Sequence, residues 1–240
     1  MKIAALCCTF LRSHLLRYIL KCWQEQDYPP NLCELIILDD AGEYKSQTIG
    51  ANCHLVSFPR RFTSLGEKRN ASAALASPDV DAFAIWDDDD LYLPTALSAS
   101  AKALHQAPLS RPSQVLYHRG GAFHRHWTGG LYHGGWAFSR ELFRRVAGYR
   151  YQSGPEDQEL LARMLAAGAA TADPLADGTP PFYVYQNDTN SPHISWIGGG
   201  DKIWQQLGRP HNGFKDSIEP AWPFDLRNTP ILDPVHPRPF

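Results

Sequence analysis

The placement of two acidic clusters constrains this chain more than any other feature of its sequence. Asp39 and Asp40 follow the apolar residues 35–38, and four consecutive aspartates, Asp87 to Asp90, follow the apolar residues 82–86. Around them, short apolar runs alternate with helical patterns, which is typical of βαβ units. Ligands of open α/β sheets bind outside the carboxyl ends of the strands, so both clusters are expected at one such edge.

The spacing of apolar positions predicts an α/β fold. Helix-start signals lie between the apolar runs: Ser13 can cap a first helix, Ser64 and Glu67 form a capping box, Ser139 can cap a further helix, and Pro155 can open the last one. Residues between 118 and 135 are expected to form a loop rich in histidine, arginine and aromatic side chains. Strands are predicted over residues 3–8, 35–38, 54–58, 82–86, 115–118, 135–138 and 182–185, and helices over 64–76 and 94–107.

Composition excludes several classes of protein. With 23 basic and 25 acidic residues the net charge is −2, which is not the basic excess of a generic nucleic-acid-binding protein. The longest apolar run, residues 3–8, is far short of the roughly 18 residues that a membrane span needs. The five cysteines show no C-x-x-C spacing, so we expect buried thiols in a reducing, cytoplasmic setting.

The run of four aspartates needs electrostatic compensation. Two carboxylates about 4 Å apart repel by roughly 4 kcal/mol at an effective dielectric near 20. Either their pKa values rise or a cation neutralises them. Oxygen ligands at a strand end suit Mg²⁺ or Mn²⁺ that completes its shell with phosphate oxygens. The alternative is a solvated acidic turn, but the position directly after an apolar strand favours the cation.

Several motifs resemble those of family 2 glycosyltransferases of the GT-A fold. Residues 85–94, IWDDDDLYLP, resemble the D-x-D-D-hydrophobic-x-x-P element of that family, and LDDAG at 38–42 is similar to its strand-end turn. GEKRN at 66–70 matches its G-x-x-R-N helix start. Further resemblance lies in GGWAFSR at 134–140, VAGY at 146–149, and GPEDQEL at 154–160 with Arg163. The order and spacing match over residues 3–166.

This resemblance implies an architecture. It implies a Rossmann-like three-layer α/β/α sandwich with a mostly parallel central sheet. It also implies one domain over residues 1–208, with 1–110 as the nucleotide-sugar-binding half and 111–208 as the acceptor-binding half. Seven prolines fall in the last 32 residues, so 209–240 is expected to be an extended tail. The long carboxyl-terminal membrane segments of processive polysaccharide synthases are absent from the sequence, which favours a soluble enzyme that adds single sugars.

The resemblance also implies a donor site for a nucleotide-diphosphate sugar, UDP-linked by default. Asp39 would accept the imide N–H of uracil, and Thr9 would line the same pocket. Asp87 corresponds to the position near the ribose, Asp89 to the direct metal ligand, and Asp88 to the variable position between them.

Two basic residues belong to the same implied site. Lys68 and Arg69 open a helix, so their charges and the positive helix end can face a diphosphate, unless they form a solvated helix face. Asp90 is expected to be structural, capping the turn into the next helix. His193 can complete the metal coordination, and an ordinary loop histidine is the alternative.

The implied acceptor side centres on two carboxylates. Asp157 is the candidate general base for an inverting transfer, and Glu156 is its helper. Both lie in the first turn of a helix, where the dipole keeps carboxylates ionised, although acidic residues at helix starts are common without function. Trp127 belongs to an aromatic acceptor-site segment, and Trp136 is either a sugar platform or a core residue.

One departure from the family keeps other functions open. The usual G-F-D-E is Gly148-Tyr149-Arg150-Tyr151, without its acids. The leading hypothesis is a metal-dependent, inverting glycosyltransferase that uses Mn²⁺ or Mg²⁺. The alternatives are a retaining transferase, a catalytically silent nucleotide-sugar-binding module and a two-metal phosphoesterase. The acceptor stays undetermined among saccharide, lipid-linked sugar, protein and modified nucleobase.

Overall fold

The computed structural model describes residues 1–119, 122–186 and 215–217. The expected extended tail and His193 therefore lie outside the described residues, except for one short strand. The strands are β1 (Ile3–Thr9), β2 (Cys33–Asp39), β3 (Gln47–Ile49), β4 (Cys53–Ser57), β5 (Ala82–Asp87), β6 (Leu91–Tyr92), β7 (Leu109–Ser110), β8 (Gln114–Arg119), β9 (Ala122–Trp127), β10 (Ala137–Ser139), β11 (Thr171–Ala172), β12 (Tyr183–Gln186) and β13 (Lys215–Ser217). The α-helices are α1 (Ser13–Gln24), α2 (Leu65–Leu75), α3 (Ala96–Leu104), α4 (Arg140–Arg145) and α5 (Glu156–Ala166).

The central sheet has eight strands in the order β11-β7-β10-β5-β1-β2-β4-β3. Its middle, β5-β1-β2-β4, is parallel throughout. Strand β10 runs antiparallel to both β5 and β7, and β3 runs antiparallel to β4. The four strands predicted in the first part of the chain are the four parallel ones, and three of them, β1, β2 and β5, are apolar runs buried on both faces.

Alternating side chains of the central sheet pack into two separate hydrophobic cores. In β1, Ile3, Ala5 and Cys7 pack in the core that also contains the apolar residues of α1 and α3. Ala4 and Leu6 point the other way, into the core that contains residues of α2, α4 and α5. Helices therefore cover both faces, which confirms the predicted three-layer α/β/α arrangement.

A second, five-stranded sheet has the order β13-β9-β8-β12-β6. It packs on the side of α1 and α3, through core residues such as Val115, Leu116 and Val184. Strand β9 lies where a loop was predicted, so that prediction was wrong. Its sequence, AFHRHW, has three polar residues between two aromatic ones, so it lacks the apolar run by which the other strands were recognised. It is a strand because it pairs antiparallel with β8.

Helix starts follow most of the sequence signals. Ser64 Oγ accepts a hydrogen bond from the Glu67 N–H at 3.2 Å, and Ser139 Oγ accepts one from Leu142 at 3.1 Å, as expected of caps. Ser13 is instead the first residue of α1, and Arg12 occupies the cap position. In the part of the chain that the structure describes, no helix has the length and apolarity that crossing a membrane requires.

Helix α2 joins the two halves of the domain. A Cβ on Gly66 would lie 1.9 Å from the carbonyl oxygen of Arg150, so only glycine fits this approach. Asn70 clamps the backbone of Tyr149: its Oδ1 accepts the Tyr149 N–H at 2.8 Å and its Nδ2 donates to the Tyr149 carbonyl at 2.9 Å. The G-x-x-R-N segment is therefore a structural junction, and it places Arg69 between the two halves.

Candidate active site

Strand register brings the acidic clusters together at one edge of the central sheet. Thr9 at the end of β1 pairs with Asp39 at the end of β2, and on the other side of β1 Cys8 pairs with Asp87 at the end of β5. The chain leaves β1 towards β2 and returns on the opposite side as β5, so a topological switch point lies between β1 and β5. Ligands of open α/β sheets bind at such a point. The predicted convergence is confirmed.

An arginine neutralises part of the aspartate run. Arg12 Nη1 donates to Asp88 Oδ1 at 2.7 Å and to Asp89 Oδ2 at 2.8 Å. Asp88 is 5% exposed and Asp89 is 9% exposed, so both ion pairs lie largely out of water. The sequence reasoning missed Arg12. The available signal was its position, since a basic residue just after β1 emerges at the same edge as the residues just after β5.

The negative charge of Asp88 is only partly compensated by Arg12. Burial raises the pKa of Asp88 to about 6, Arg12 opposes this, and the charge of Asp89 adds to it. The Thr9 hydroxyl lies close enough to lower that pKa slightly, yet neither Thr9 Oγ1 nor Asp88 Oδ2 has a hydrogen-bond partner of good geometry among the described residues. Asp88 therefore carries a buried oxygen with unused acceptor capacity, which raises the cost of its negative charge.

Asp90 is structural, in a way that differs from the expected turn cap. Its carboxylate accepts hydrogen bonds from the Tyr183 hydroxyl and, at 3.0 Å, from the Gln186 N–H. Burial raises its pKa well above the usual range, and Asp89 and Asp87 raise it further. Asp90 thus ties the acidic run to β12 of the second sheet, a contact across 93 residues that local sequence does not indicate.

The donor atoms at this edge fit a divalent ion of the Mg²⁺ or Mn²⁺ type. They are hard carboxylate oxygens, and one of them, on Asp88, is buried without a partner among the described residues. In residues 1–119, 122–186 and 215–217, no three His, Cys, Asp or Glu side chains gather into a complete metal cluster. Mg²⁺ characteristically takes one or two protein carboxylates and completes its shell with phosphate and water, so a pair suffices when the substrate carries a diphosphate.

Asp39, at the end of β2, is held by hydrogen bonds within the protein. The Asp39 carboxylate is fully buried and accepts hydrogen bonds from the N–H groups of Ala41 and Glu43, both at 2.9 Å, and from Ser57 Oγ at 2.6 Å. Its contact with a nucleobase stays a prediction, and the visible role of the side chain is to fix the turn after β2.

Lys68, predicted to face a diphosphate, pairs within the protein at the same edge of the sheet. Its Nζ donates to the Thr9 carbonyl and to Asp40 Oδ1, both at 2.5 Å, and the side chain is buried. Lysine has three donors, and here one bonds a backbone carbonyl and another a buried carboxylate. Lys68 therefore links the ends of β1 and β2, and its contact with a diphosphate stays a prediction.

Arg69 links the donor edge to the acceptor half. Its Nη2 donates to Asp87 Oδ1 at 3.1 Å, and its Nε lies 3.4 Å from Glu156 Oε1. Glu156 also accepts the Gly154 N–H at 2.7 Å through its second oxygen. Both Arg69 and Glu156 are buried, so this ion pair fixes the start of α5 against the end of β5.

The candidate base lies one residue further along α5. Asp157 is partly buried and accepts hydrogen bonds from the Gln158 N–H at 2.7 Å and from Gln158 Nε2 at 3.3 Å. Asp157 directly follows Glu156, whose carboxylate pairs with Arg69, and Arg69 in turn bonds Asp87.

A neutral histidine lies near Arg69, Asp87 and Asp157. His133 is buried, and its Nε2 is 2.8 Å from the Tyr149 hydroxyl. Burial lowers the pKa of His133 to about 4; Arg69 lowers it further, while Asp87 and Asp157 oppose the shift. His133 is therefore uncharged at neutral pH, and it lies close enough to Arg69, Asp87 and Asp157 to sense their charges.

The two tryptophans of the predicted acceptor site differ sharply. Trp136 is 1% exposed and donates from Nε1 to the Gly130 carbonyl at 2.8 Å, so it is a core residue and its assignment to acceptor binding was wrong. A large aromatic ring with its single donor satisfied inside has no face left for a ligand. Trp127, at the end of β9, is 57% exposed and stays a candidate.

Comparison with known proteins identifies the fold. No protein-family model and no curated protein sequence matches the chain. Among solved structures, TarS 1–349 from S. aureus in complex with UDP-GlcNAc is 16% identical with a TM-score of 0.63, covering 81% of this chain and 61% of that one. The same protein with UDP is 15% identical with a TM-score of 0.61, covering 78% and 60%.

A third similar structure comes from an archaeon. The mannosyltransferase PcManGT from Pyrobaculum calidifontis, in complex with GDP-Man and Mn²⁺, is 18% identical with a TM-score of 0.59, and the match covers 86% of this chain and 61% of that one. The chain spans less than two thirds of the length of these proteins. With the switch-point topology described above, these likenesses show that the chain has the fold of the GT-A glycosyltransferases.

Proposed function

We propose that the protein is a metal-dependent glycosyltransferase that moves a sugar from a nucleotide-diphosphate donor to an acceptor hydroxyl with inversion. One observation carries the proposal: Arg69 bonds both Asp87 at the end of β5 and Glu156 at the start of α5, so the segments that contain Asp89 and Asp157 meet. The neighbours support the donor class, since they were solved with UDP, UDP-GlcNAc or GDP-Man, the last with Mn²⁺.

On the donor side, Asp89 is the proposed metal ligand, with Asp88 beside it. A bound Mn²⁺ or Mg²⁺ supplies Lewis-acid stabilisation of the charge that develops on the leaving diphosphate. Asp87, held by Arg69, is proposed to orient the ribose through hydrogen bonds. Arg69 contacts the carboxylates of Asp87 and Glu156, so its first role is to hold them in place. Its positive charge also attracts the negatively charged donor.

On the acceptor side, Asp157 is the proposed general base. The acceptor oxygen forms a bond to the anomeric carbon, the bond from that carbon to the diphosphate oxygen breaks, and the hydroxyl proton passes to Asp157. Glu156 supports this by anchoring the start of α5 through Arg69 and Gly154.

Donor and acceptor identity stay open within this proposal. A UDP-sugar is the default donor, and the likeness to PcManGT makes a GDP-sugar the first alternative to test. Trp127 is proposed to contact the acceptor, because it is exposed at the end of β9, whereas Trp136 is buried. A retaining transferase would share the donor side, and product stereochemistry by NMR separates the two.

The proposed function is tested by turnover with Asp157→Asn. Transfer from UDP- or GDP-sugars, assayed as release of the nucleoside diphosphate with Mn²⁺ against an acceptor panel, should fall 10²- to 10⁴-fold. Nucleotide affinity by calorimetry should stay within about twofold. Glu141→Gln, an exposed carboxylate on α4, is the matched control and should behave as the unaltered protein. Full activity of the Asp157 variant would refute the mechanism, and donor binding without any turnover would favour a silent binding module.

A further inference from the structure

We propose that Arg12 is a built-in counterion that occupies the cation position between Asp88 and Asp89 and competes with the divalent ion. The ion then binds tightly only together with the donor diphosphate. This inference rests on the proposed function and adds to it a residue and an order of events. It makes Arg12 the group that couples metal binding to nucleotide binding.

The geometry is that of a shared cation. A single nitrogen of Arg12, Nη1, reaches both carboxylates, at 2.7 Å to Asp88 and 2.8 Å to Asp89. Any ion that used the same two oxygens would lie within a few ångströms of the guanidinium, and two cations so close repel strongly. The arginine and the metal therefore exclude each other from this pair of oxygens.

The arginine compensates the cluster only in part. It brings one positive charge to two carboxylates that are both more than nine-tenths buried, and Asp88 Oδ2 is left without a hydrogen-bond partner among the described residues. Residual negative charge therefore remains for a divalent ion to neutralise. A doubly charged ion compensates both carboxylates, which a single guanidinium cannot do.

A bound diphosphate ends the competition between Arg12 and the metal by drawing Arg12 away from Asp88 and Asp89. It adds negative charge at the same edge, and its oxygens are bidentate acceptors for which guanidinium is the preferred donor. Arg12 is on the cap position of α1, immediately outside the helix, and its side chain is 19% exposed, so it can turn from the carboxylates towards a ligand at the edge. Once it does, the two carboxylate oxygens are released to the metal.

This exchange makes metal and nucleotide binding mutually favourable. Because linkage is reciprocal, the nucleotide raises metal affinity by the same factor by which the metal raises nucleotide affinity. Without the arginine, the carboxylates are available to the metal at all times, and only the coupling that comes from direct contact between the metal and the phosphate oxygens remains. The coupling factor, measured with and without Arg12, is thus the quantity that the inference predicts.

The test is a Mn²⁺ titration of the full chain, followed by electron paramagnetic resonance of the free ion, without nucleotide and with saturating UDP or GDP. For the unaltered protein we expect Mn²⁺ to bind at least tenfold more tightly with nucleotide. Arg12→Gln should bind Mn²⁺ alone at least tenfold more tightly than the unaltered protein, and its coupling factor should be smaller by the same ratio. Arg17→Gln removes an exposed charge from the same helix and should match the unaltered protein.

Arg12→Lys keeps the positive charge but removes the planar guanidinium with its several donors. It serves as a second variant in case Arg12→Gln misfolds, and it should give an intermediate gain in Mn²⁺ affinity. Equal Mn²⁺ affinity and coupling in the unaltered protein and both Arg12 variants would overturn the inference and leave the proposed function standing. Nucleotide binding that needs Arg12 but no metal would also overturn it. A protein that binds neither Mn²⁺ nor either nucleotide refutes the proposed function, and this inference with it.

Discussion

Protonation of His133 has a cost that follows directly from the structure. The imidazole is buried beside the Tyr149 hydroxyl, at 2.8 Å from Nε2. Burial, with a further contribution from Arg69, lowers its pKa to about 4, against an ordinary value of 6.5. Between these values the unfolded chain binds a proton that the folded protein does not. Stability therefore falls as pH falls from 6.5 towards 4, and the contribution is fully retained above pH 6.5.

The magnitude follows from the difference in pKa. About 2.5 pKa units correspond to about 3 kcal/mol once the pH is below 4. At pH 5, about 2 kcal/mol of the free energy of unfolding has been lost relative to pH 7.5. Asp88 has the opposite effect: its pKa is raised to about 6, so the folded state gains stability as pH falls through that value. The unaltered protein and any variant that keeps Asp88 share this trend, so it cancels when their free energies of unfolding are compared.

The assay is urea unfolding at pH 5 and pH 7.5, with His133→Gln beside the unaltered protein. Glutamine keeps an amide that can hydrogen-bond to Tyr149 and removes the titration. The variant should lose about 2 kcal/mol less than the unaltered protein between the two pH values. His105→Gln, at an exposed histidine after α3, is the matched control and should keep the full pH dependence. The same pH dependence in the His133 variant and in the unaltered protein would refute this account of the buried imidazole.

Three further predictions concern the junction of the two halves and the edge of the sheet. Gly66→Ala should lower the free energy of unfolding by about 1–3 kcal/mol in urea, because the new Cβ meets the Arg150 carbonyl; no loss would mean that α2 and that backbone lie further apart. Asn70→Asp loses the hydrogen bond from Nδ2 to Tyr149 and should cost about 1–3 kcal/mol in the same measurement, and a neutral change would contradict the clamp. Trp127→Ala should raise the acceptor KM about tenfold while leaving the nucleotide Kd unchanged, and an unchanged acceptor KM would remove Trp127 from the site.

The parallel core of the fold was readable from the sequence for a physical reason. Strands β1, β2 and β5 are buried on both faces, so they are nearly continuous apolar runs, and the acidic clusters mark the carboxyl ends of β2 and β5. The caps at Ser64 and Ser139 were equally local, because a cap depends on residues three positions apart. Features of this kind are set by neighbours in sequence.

The parts that escaped prediction depend on distant contacts. Strand β9 owes its structure to pairing with β8, and its own residues do not form an apolar run. The ion pair of Arg12 with Asp88 joins residues 76 apart, and that of Lys68 with Asp40 joins residues 28 apart. Whether a basic side chain pairs with a buried carboxylate is decided by such contacts, which is why Arg12 was missed and the ion pair of Lys68 was not expected.

The position of the metal tests the central claim most directly. Crystals of the protein grown with Mn²⁺ and UDP or GDP give an anomalous signal that locates the ion without reference to any sequence motif. The account predicts a peak within coordination distance of an Asp89 oxygen, between the ends of β1 and β5, in contact with the diphosphate. A peak elsewhere on the molecule, or a nucleotide bound away from this edge, would contradict it.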